Sequence, residues 1–411
     1  MTASGTKYPS LRPVDARPVS IQGQDMILLR DPLRLSDKVL VVPQPLGPAL
    51  ALCDGTREDA MAIAAAMAVR FGLKAGAALI EQMLGALDQA CLLDNDHFAE
   101  AKAARLIEYR QAPFRLPALA GQSYPESAGE LTGLLNKYTS EVQSTPCQKP
   151  DSGNLPCILS PHIDYARGGP VYAKTWKQAE ELAREAELVI LLGTDHYGGD
   201  GALTLTQQNY ATPFGVLPTA TDIVGNLAAA LGEESAYQGE LRHCGEHSIE
   251  LAAVWLHYIR DGQPVDLVPI LCGSFHRFTS GEAEASTDPA LNELVDVLKT
   301  QVASRNTLLV AAADLSHVGP AFGGPPVDIA GRGRLKESDD ELIDRIHAAD
   351  AEGFLAAITR VKDCNNVCGV SPIYVALKVL GQGQGELAAY DRCPADEAGT
   401  SLVSICGMTI T

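Results

Sequence analysis

The sequence predicts an α/β domain built on a largely parallel sheet and preceded by a small, mainly helical domain. Three observations carry that reading. The chain has 411 residues, more than one hydrophobic core usually organises, so two domains are expected. Beyond about residue 112, short apolar runs alternate with amphipathic helical stretches, the arrangement of strands joined by crossover helices. Before that point the pattern differs: strand-like alternation comes first and several short helical segments follow. The expected boundaries are residues 1–112 and 113–411.

In the first domain, VSIQGQDMILLRDP and KVLVVP alternate like short strands. LGPALALCDG, REDAMAIAAAMAVRFG and AALIEQMLGALDQACLL then read as helices. Ile63, Met67 and Phe71 recur every four residues and line one helical face, and Leu79, Met83, Leu87 and Leu92 nearly do the same. Asp54-Gly55-Thr56 supplies a turn and a helix cap between the segments. From about 110 to 155, Pro113, Pro117, Pro125, Pro146, Pro150 and Pro156 mark a linker interrupted by one helix, SAGELTGLLNKYTSEV.

Composition narrows the functional classes. Hydrophobic residues make up 46% of the chain and charged ones 20%, as in folded globular proteins. Lysine and arginine number 32 against 51 acidic residues, a formal charge of −19. That balance repels phosphate backbones and anionic lipid, so neither nucleic acid nor a membrane surface is an expected partner. No apolar run approaches the roughly 18 residues of a membrane span. The start, MTASGTKYPSLRPVDARPVS, lacks the basic segment and apolar core of a signal peptide. Ten cysteines are too sparse for a disulfide scaffold, so reduced thiols and a cytoplasmic location are expected. Cys364 and Cys368 are spaced CxxxC, but no second pair with zinc-knuckle spacing accompanies them.

The chemistry is expected where three apolar runs end in metal-competent residues. CILS precedes Pro161-His162-Ile163-Asp164, LVILLG precedes Thr194-Asp195-His196-Tyr197, and TLLVAAA precedes Asp314-Leu315-Ser316-His317. Ligands of open α/β sheets bind beyond the carboxyl ends of the strands, so these segments should converge. One histidine after a strand is usually structural; three in the same topological place point to a site. A fourth segment, Cys244-Gly245-Glu246-His247-Ser248-Ile249-Glu250, opens a helix. There His247 either faces a substrate oxygen or is a satisfied polar residue beside carboxylates that complement the helix dipole.

SPHIDY, LLGTDHYG, EHSIEL, VPILCG and AADLSHVG, with AGQSYP at residues 120–125, resemble in order and spacing the signature blocks of the Memo family, and together they cover nearly all of residues 113–411. The resemblance implies the fold of the class III, LigB-type extradiol dioxygenases and a metal site at the sheet ends. It implies His162 and His196 as metal ligands and places the third, a cysteine, on Cys393 in AAYDRCPADEAGTSLVS. Cys393 follows a probable strand, ELAAY, and adjoins Arg392, a neighbour that favours thiolate. Asp314 and His317 resemble the family's supporting pair, with His317 as acid/base and Asp314 behind it. Asp195 and Asp164 depart from the family pattern and put a carboxylate on each of two metal-adjacent turns. The first domain is similar to the PqqD-like winged-helix domains that bind peptides; a docking domain without a peptide ligand fits the same helices.

Two functions follow from the resemblance. One is an oxidoreductase of the dioxygenase type with iron(II), acting on a small chelating, aromatic or peptide substrate, with His247, His317 and Asp314 as its catalytic groups. The other is a non-catalytic iron- or copper-binding protein that docks a peptide or partner protein. Copper and zinc suit the same ligands. A zinc hydrolase ranks behind both, for want of a carboxylate base beside the thiolate.

Overall fold

The computed structural model describes residues 8–143, 146–147, 155–302 and 305–411, which leaves Pro150 of the expected linker and the first seven residues outside the described part. The chain divides into two compact units, Met1–Ala112 and Pro113–Thr411.

In the first unit, β1 (Asp15–Ile21) and β2 (Gln24–Arg30) form an antiparallel hairpin, and β3 (Leu40–Pro43) pairs with β2. Gln22 and Gly23, with φ of 52° and 77°, make the two-residue turn; left-handed residues at both positions match the twist of the flanking strands. Helices follow at Gly47–Leu52, Ala60–Phe71, Ala77–Gln89 and Asp96–Gln111. The second begins at Asp59, whose carboxylate accepts the Ala62 N–H at 2.8 Å, so the cap lies five residues beyond Asp54. Ile63, Met67, Met83, Leu87 and Leu92 enter the core with Leu29 and Val42. Phe71 and Leu79 do not: they are 49% and 47% exposed, and Ile80 takes the inward place. The fourth helix has only Tyr109 buried, so it lacks the apolar stripe by which sequence periodicity finds a helix.

The second unit is a three-layer α/β structure with a mostly parallel central sheet. Its strands are β4 (Cys157–Ser160), β5 (Leu188–Thr194), β6 (Leu203–Leu205), a small separate hairpin of β7 (Tyr210–Thr212) and β8 (Gly215–Leu217), β9 (Asp266–Cys272), β10 (Thr307–Ala312), β11 (His317–Val318), β12 (Gly385–Pro394) and β13 (Leu402–Ile410). The order is β11-β13-β4-β10-β5-β9-β6, with β12 also on β13. The middle four, β4, β10, β5 and β9, run parallel; β13 and β6 flank them antiparallel.

Every residue of β4, β5 and β10 is buried, which is why these strands read as unbroken apolar runs. Alternate residues feed two cores. Leu159, Ile190 and Leu309 pack under the helices Pro289–Val302 and Val370–Leu380. Ile158, Leu191 and Val310 pack under Tyr165–Gln178 and Ser248–Ile259. Among the described residues no helix is long and apolar enough to cross a membrane.

Candidate metal centre

The parallel strands β4, β5 and β10 all point their carboxyl ends to one edge of the sheet, and the chain turns there carry His162, His196 and Asp314. His162 follows β4 by two residues. Its Nδ1 lies 2.9 Å from the Ala312 carbonyl at the end of β10. A carbonyl only accepts, so Nδ1 carries a proton, and Nε2 is the nitrogen whose lone pair a metal would take. Asp314 Oδ1 accepts the backbone N–H groups of His162 and Ile163 at 2.8 and 3.3 Å, fixing the turn.

His196 is fixed in the same way by a different partner. Its Nδ1 lies 3.0 and 3.1 Å from the two Glu246 oxygens, and its backbone N–H donates to the same carboxylate at 3.1 Å. Glu246 also accepts the N–H groups of His247 and Ser248 at 2.7 and 3.1 Å, at the start of the helix Ser248–Ile259. The exposed donors of that helix start are thereby taken by the chain's own carboxylate rather than left for an outside anion. The His247 Nδ1 lies 3.1 Å from Glu246 as well. Burial disfavours charge on Glu246, but His196 and His247 outweigh it and hold the carboxyl well below its ordinary value. Gly193 makes the arrangement possible: a Cβ there would meet Ser248 Oγ and Ile249 Cγ1 at 2.6 Å.

The third ligand-type atom belongs to Cys368. Its Sγ lies 3.3 Å from His162 Nε2, and the ligand atoms of His162, His196 and Cys368 all fall within 4.8 Å of one another. Cys368 ends the loop before the helix Val370–Leu380. Gly369 lets that loop press onto Asp314, since a Cβ there would stand 2.4 Å from the Asp314 carbonyl oxygen. Burial opposes ionisation of the thiol, yet the imidazoles of His162 and His317 in their protonated form, with Nε2–H bonds from His162 and His196 to the sulfur, bring it down to about 5; a metal would take the place of those Nε2 protons. Two imidazole Nε2 lone pairs and a thiolate-prone sulfur therefore face one point, a donor set that fits iron, copper or zinc.

Cys393, the cysteine that the family resemblance implies, is outside this group. It lies on β12 opposite Val403, is 3% exposed, and its Sγ contacts the Arg167 carbonyl at 3.6 Å. Burial pushes its thiol up to about 12. Arg392 does not counter this, because its guanidinium is turned to the Arg332 carbonyl, 2.9 Å away. The signal for Cys368 was in the sequence as Cys368-Gly369 directly before an apolar helical run, a position where thiols favour ionisation.

One further expectation is corrected. Asp314 does not stand behind His317: its Oδ2 is 3.7 Å from His162 Nε2, while His317 Nδ1 is 3.2 Å from the Leu315 carbonyl. The extra carboxylates sit on the two expected turns and are engaged by partners of their own. Asp195 takes the Arg242 Nε at 2.5 Å, and Asp164 caps its helix and pairs with Arg167 at 2.6 Å.

His317 and His247 both come close to the group. The His247 ring stacks on His196 with centroids 4.7 Å apart and meets His162 edge-on at 5.5 Å. His317 packs edge-on against Phe322 at 5.0 Å. With His196 and Cys368, His317 lines an open cavity of about 500 Å³.

The profile described as Memo-like protein matches residues 115–409, nearly the whole second unit. A MEMO1 family protein of Methanopyrus kandleri is 29% identical over 286 residues, 67% of this chain and 91% of that protein. One of Nitrosopumilus maritimus is 26% identical over 281 residues, with the same shares. A MEMO1 family protein of Aquifex aeolicus is 26% identical over 407 residues, 97% of this chain and 99% of its own length, so that similarity runs through the first unit too. With the profile spanning the sheet, its strand-end histidines and Cys368, the chain belongs to the Memo-like protein family.

Proposed function

We propose that the second unit is a metal-dependent oxidoreductase of the oxygenase type, with one iron(II) ion held by His162, His196 and Cys368. The observation that carries this is the meeting of those three ligand atoms within 4.8 Å beside a cavity. Three protein ligands leave coordination positions open, the property that separates catalytic from structural metal sites. Bound there, iron(II) would supply redox chemistry toward O₂ and a chelating small-molecule or peptide substrate.

The chain's own residues have separate tasks. The Ala312 carbonyl and Glu246 hold the two imidazoles in the tautomer that bares Nε2. His317, with Nδ1 turned to the Leu315 carbonyl, keeps Nε2 to hold or move a proton on the cavity wall. His247, tied to Glu246 through Nδ1, is placed to orient a substrate oxygen. Asp314 serves the His162 turn rather than His317. The reduced thiols of the site belong with a cytoplasmic location, which is part of the proposal.

Purification without oxygen, metal analysis, and O₂ uptake with aromatic and peptide substrates test the reading. About one iron per chain and substrate-dependent O₂ uptake are expected. A chain that takes up iron but never consumes O₂ would favour a second reading, a non-catalytic iron- or copper-binding protein whose first unit docks a peptide or partner protein. The observation behind that alternative is the apolar surface of the helix Ala60–Phe71, where Met61 and Val69 are 69% and 85% exposed. A PqqD-like, peptide-docking role for this unit is part of that second reading.

A further inference from the structure

The cavity beside the donor atoms has a second chemical face that metal binding leaves unused. Phe275, Phe322 and Val367 give it apolar wall, and among the described residues no lysine or arginine side chain lines it. It contains two aspartates. Asp195 is committed to Arg242 at 2.5 Å. Asp363 is not committed: one oxygen accepts the Val367 N–H at 2.8 Å, and among the described residues nothing is hydrogen-bonded or ion-paired to the other.

The loop that carries Asp363 is held in a disfavoured shape. Lys362, Asp363 and Asn366 have φ of 50°, 50° and 49°, the left-handed region that side chains with a Cβ avoid. Outliers of this kind gather at ligand clamps, where surrounding contacts hold them in place. Here those contacts are the Asp363 bond to Val367 and the Asn366 amide bonded to the His317 carbonyl at 3.1 Å. The loop thus fixes Asp363 relative to both His317 and Cys368. His276 and His317 are the imidazoles that share this part of the cavity wall, and among the described residues neither is hydrogen-bonded or ion-paired to Asp363.

We propose that this cavity binds a ring-bearing amine, its ammonium group on Asp363 and its ring against Phe275 and Phe322, so that Asp363 selects substrate by charge. An apolar body with one cation suits walls of this composition, and a charge-assisted hydrogen bond to a half-buried carboxylate is among the stronger polar contacts. The inference rests on the cavity being the substrate mouth of the proposed metal centre.

The test is binding to the full chain, as isolated and after metal removal, by calorimetry or ligand-observed NMR. The probes are phenethylamine, tyramine and tryptamine, with 3-phenylpropionate as the anionic counterpart of phenethylamine. Saturable binding of at least one amine is expected, at least about tenfold tighter than the carboxylate and weakened about tenfold or more by Asp363→Asn. Asparagine can still accept the Val367 N–H, and Asp363→Glu should restore part of the affinity. Should Asp363→Asn fold poorly, the wild-type chain answers alone: amine binding must weaken as salt is raised from about 50 to 500 mM. Failure of all three amines to bind, equal or tighter binding of 3-phenylpropionate, or amine affinity indifferent to both Asp363→Asn and salt would overturn the proposal. Metal content measured on the same samples separates the two readings, since a chain that binds amine but holds no metal refutes only the metal centre.

Discussion

The Sγ of Cys368 stands 3.3 Å from the Nε2 of His162 across 206 residues of chain, and it is this sulfur, not that of Cys393, that completes the cluster. The two cysteines therefore make opposite predictions. Cys368→Ser should lower metal occupancy by orders of magnitude while the sheet stays folded, because the core of the second unit is apolar and independent of the ion. Cys393→Ser should keep its metal and lose stability instead, since it places a more polar group in a buried strand position. Metal analysis and melting temperatures of the two variants decide; metal loss in Cys393→Ser alone would reverse the assignment.

Glu246→Gln is expected to weaken metal affinity by about 10- to 100-fold. Glutamine can still accept from the His247 and Ser248 N–H groups, but it loses the negative charge beside His196 and His247. Competition with a chelator of known affinity measures the change. An unaltered affinity would mean that the carboxylate serves only the helix start.

His317→Gln should leave metal content intact and reduce substrate-dependent O₂ uptake by roughly 100-fold, the scale of lost acid/base assistance. The pH profile should lose a limb in the same variant. Equal turnover would remove His317 from the chemistry.

Acid should destabilise the second unit in two stages. Burial, foremost, lowers the buried His243 imidazole to about 3. The unfolded chain takes up that proton below about 6.5 while the folded chain does not, so this stability is complete above 6.5 and declines as pH falls toward 3. Glu250 adds the second stage. Burial opposes its charge, but Arg115 at 2.5 Å, the Tyr124 hydroxyl and the Leu119 and Ala118 N–H groups hold it below 4.5. Its contribution is present above 4.5 and lost as pH falls through the lowered value. Melting temperature should thus slope downward from pH 6.5 and steepen below 4.5. Glu250→Gln should cost about 3 kcal/mol at neutral pH, because it removes the negative charge from a buried pair. A flat melting profile from pH 7.5 to 4 would contradict both assignments.

What could be read from the sequence follows how each residue reaches the site. His162, His196, Asp314 and His317 come directly off strand ends, and the buried runs before them announce those ends. Cys368 comes from the loop that opens the helix Val370–Leu380, so its place before an apolar helical run marks it locally, while its meeting with His162 across 206 residues does not show in any local pattern. Glu246 was visible only as a carboxylate at a helix start, because its bond to His196 spans 50 residues. In the first unit, Ile63 and Met67 stood out by their spacing, while the inward turn of Ile80 in place of Leu79 is a shift of one residue that periodicity does not resolve. The helix Asp96–Gln111 has no sequence signature because its single buried residue, Tyr109, leaves no stripe.

The neighbours of β4 set an order in time. Cys157 pairs with Leu309 on one side and Ile410 on the other, so the strand that leads to His162 lacks both flanking strands until some 150 and 250 further residues have been made. At ribosomal speeds that is roughly ten seconds or more of waiting with an apolar strand unpaired on both edges. Such long-range pairing makes for slow folding. The imidazole of His162 has no Ala312 carbonyl to lean on during that interval, and Cys368 has not yet been synthesised for much of it. A cluster ready for metal can therefore appear only late, after most of the unit is already translated, and a nascent chain that meets iron or copper early meets scattered side chains instead of a centre.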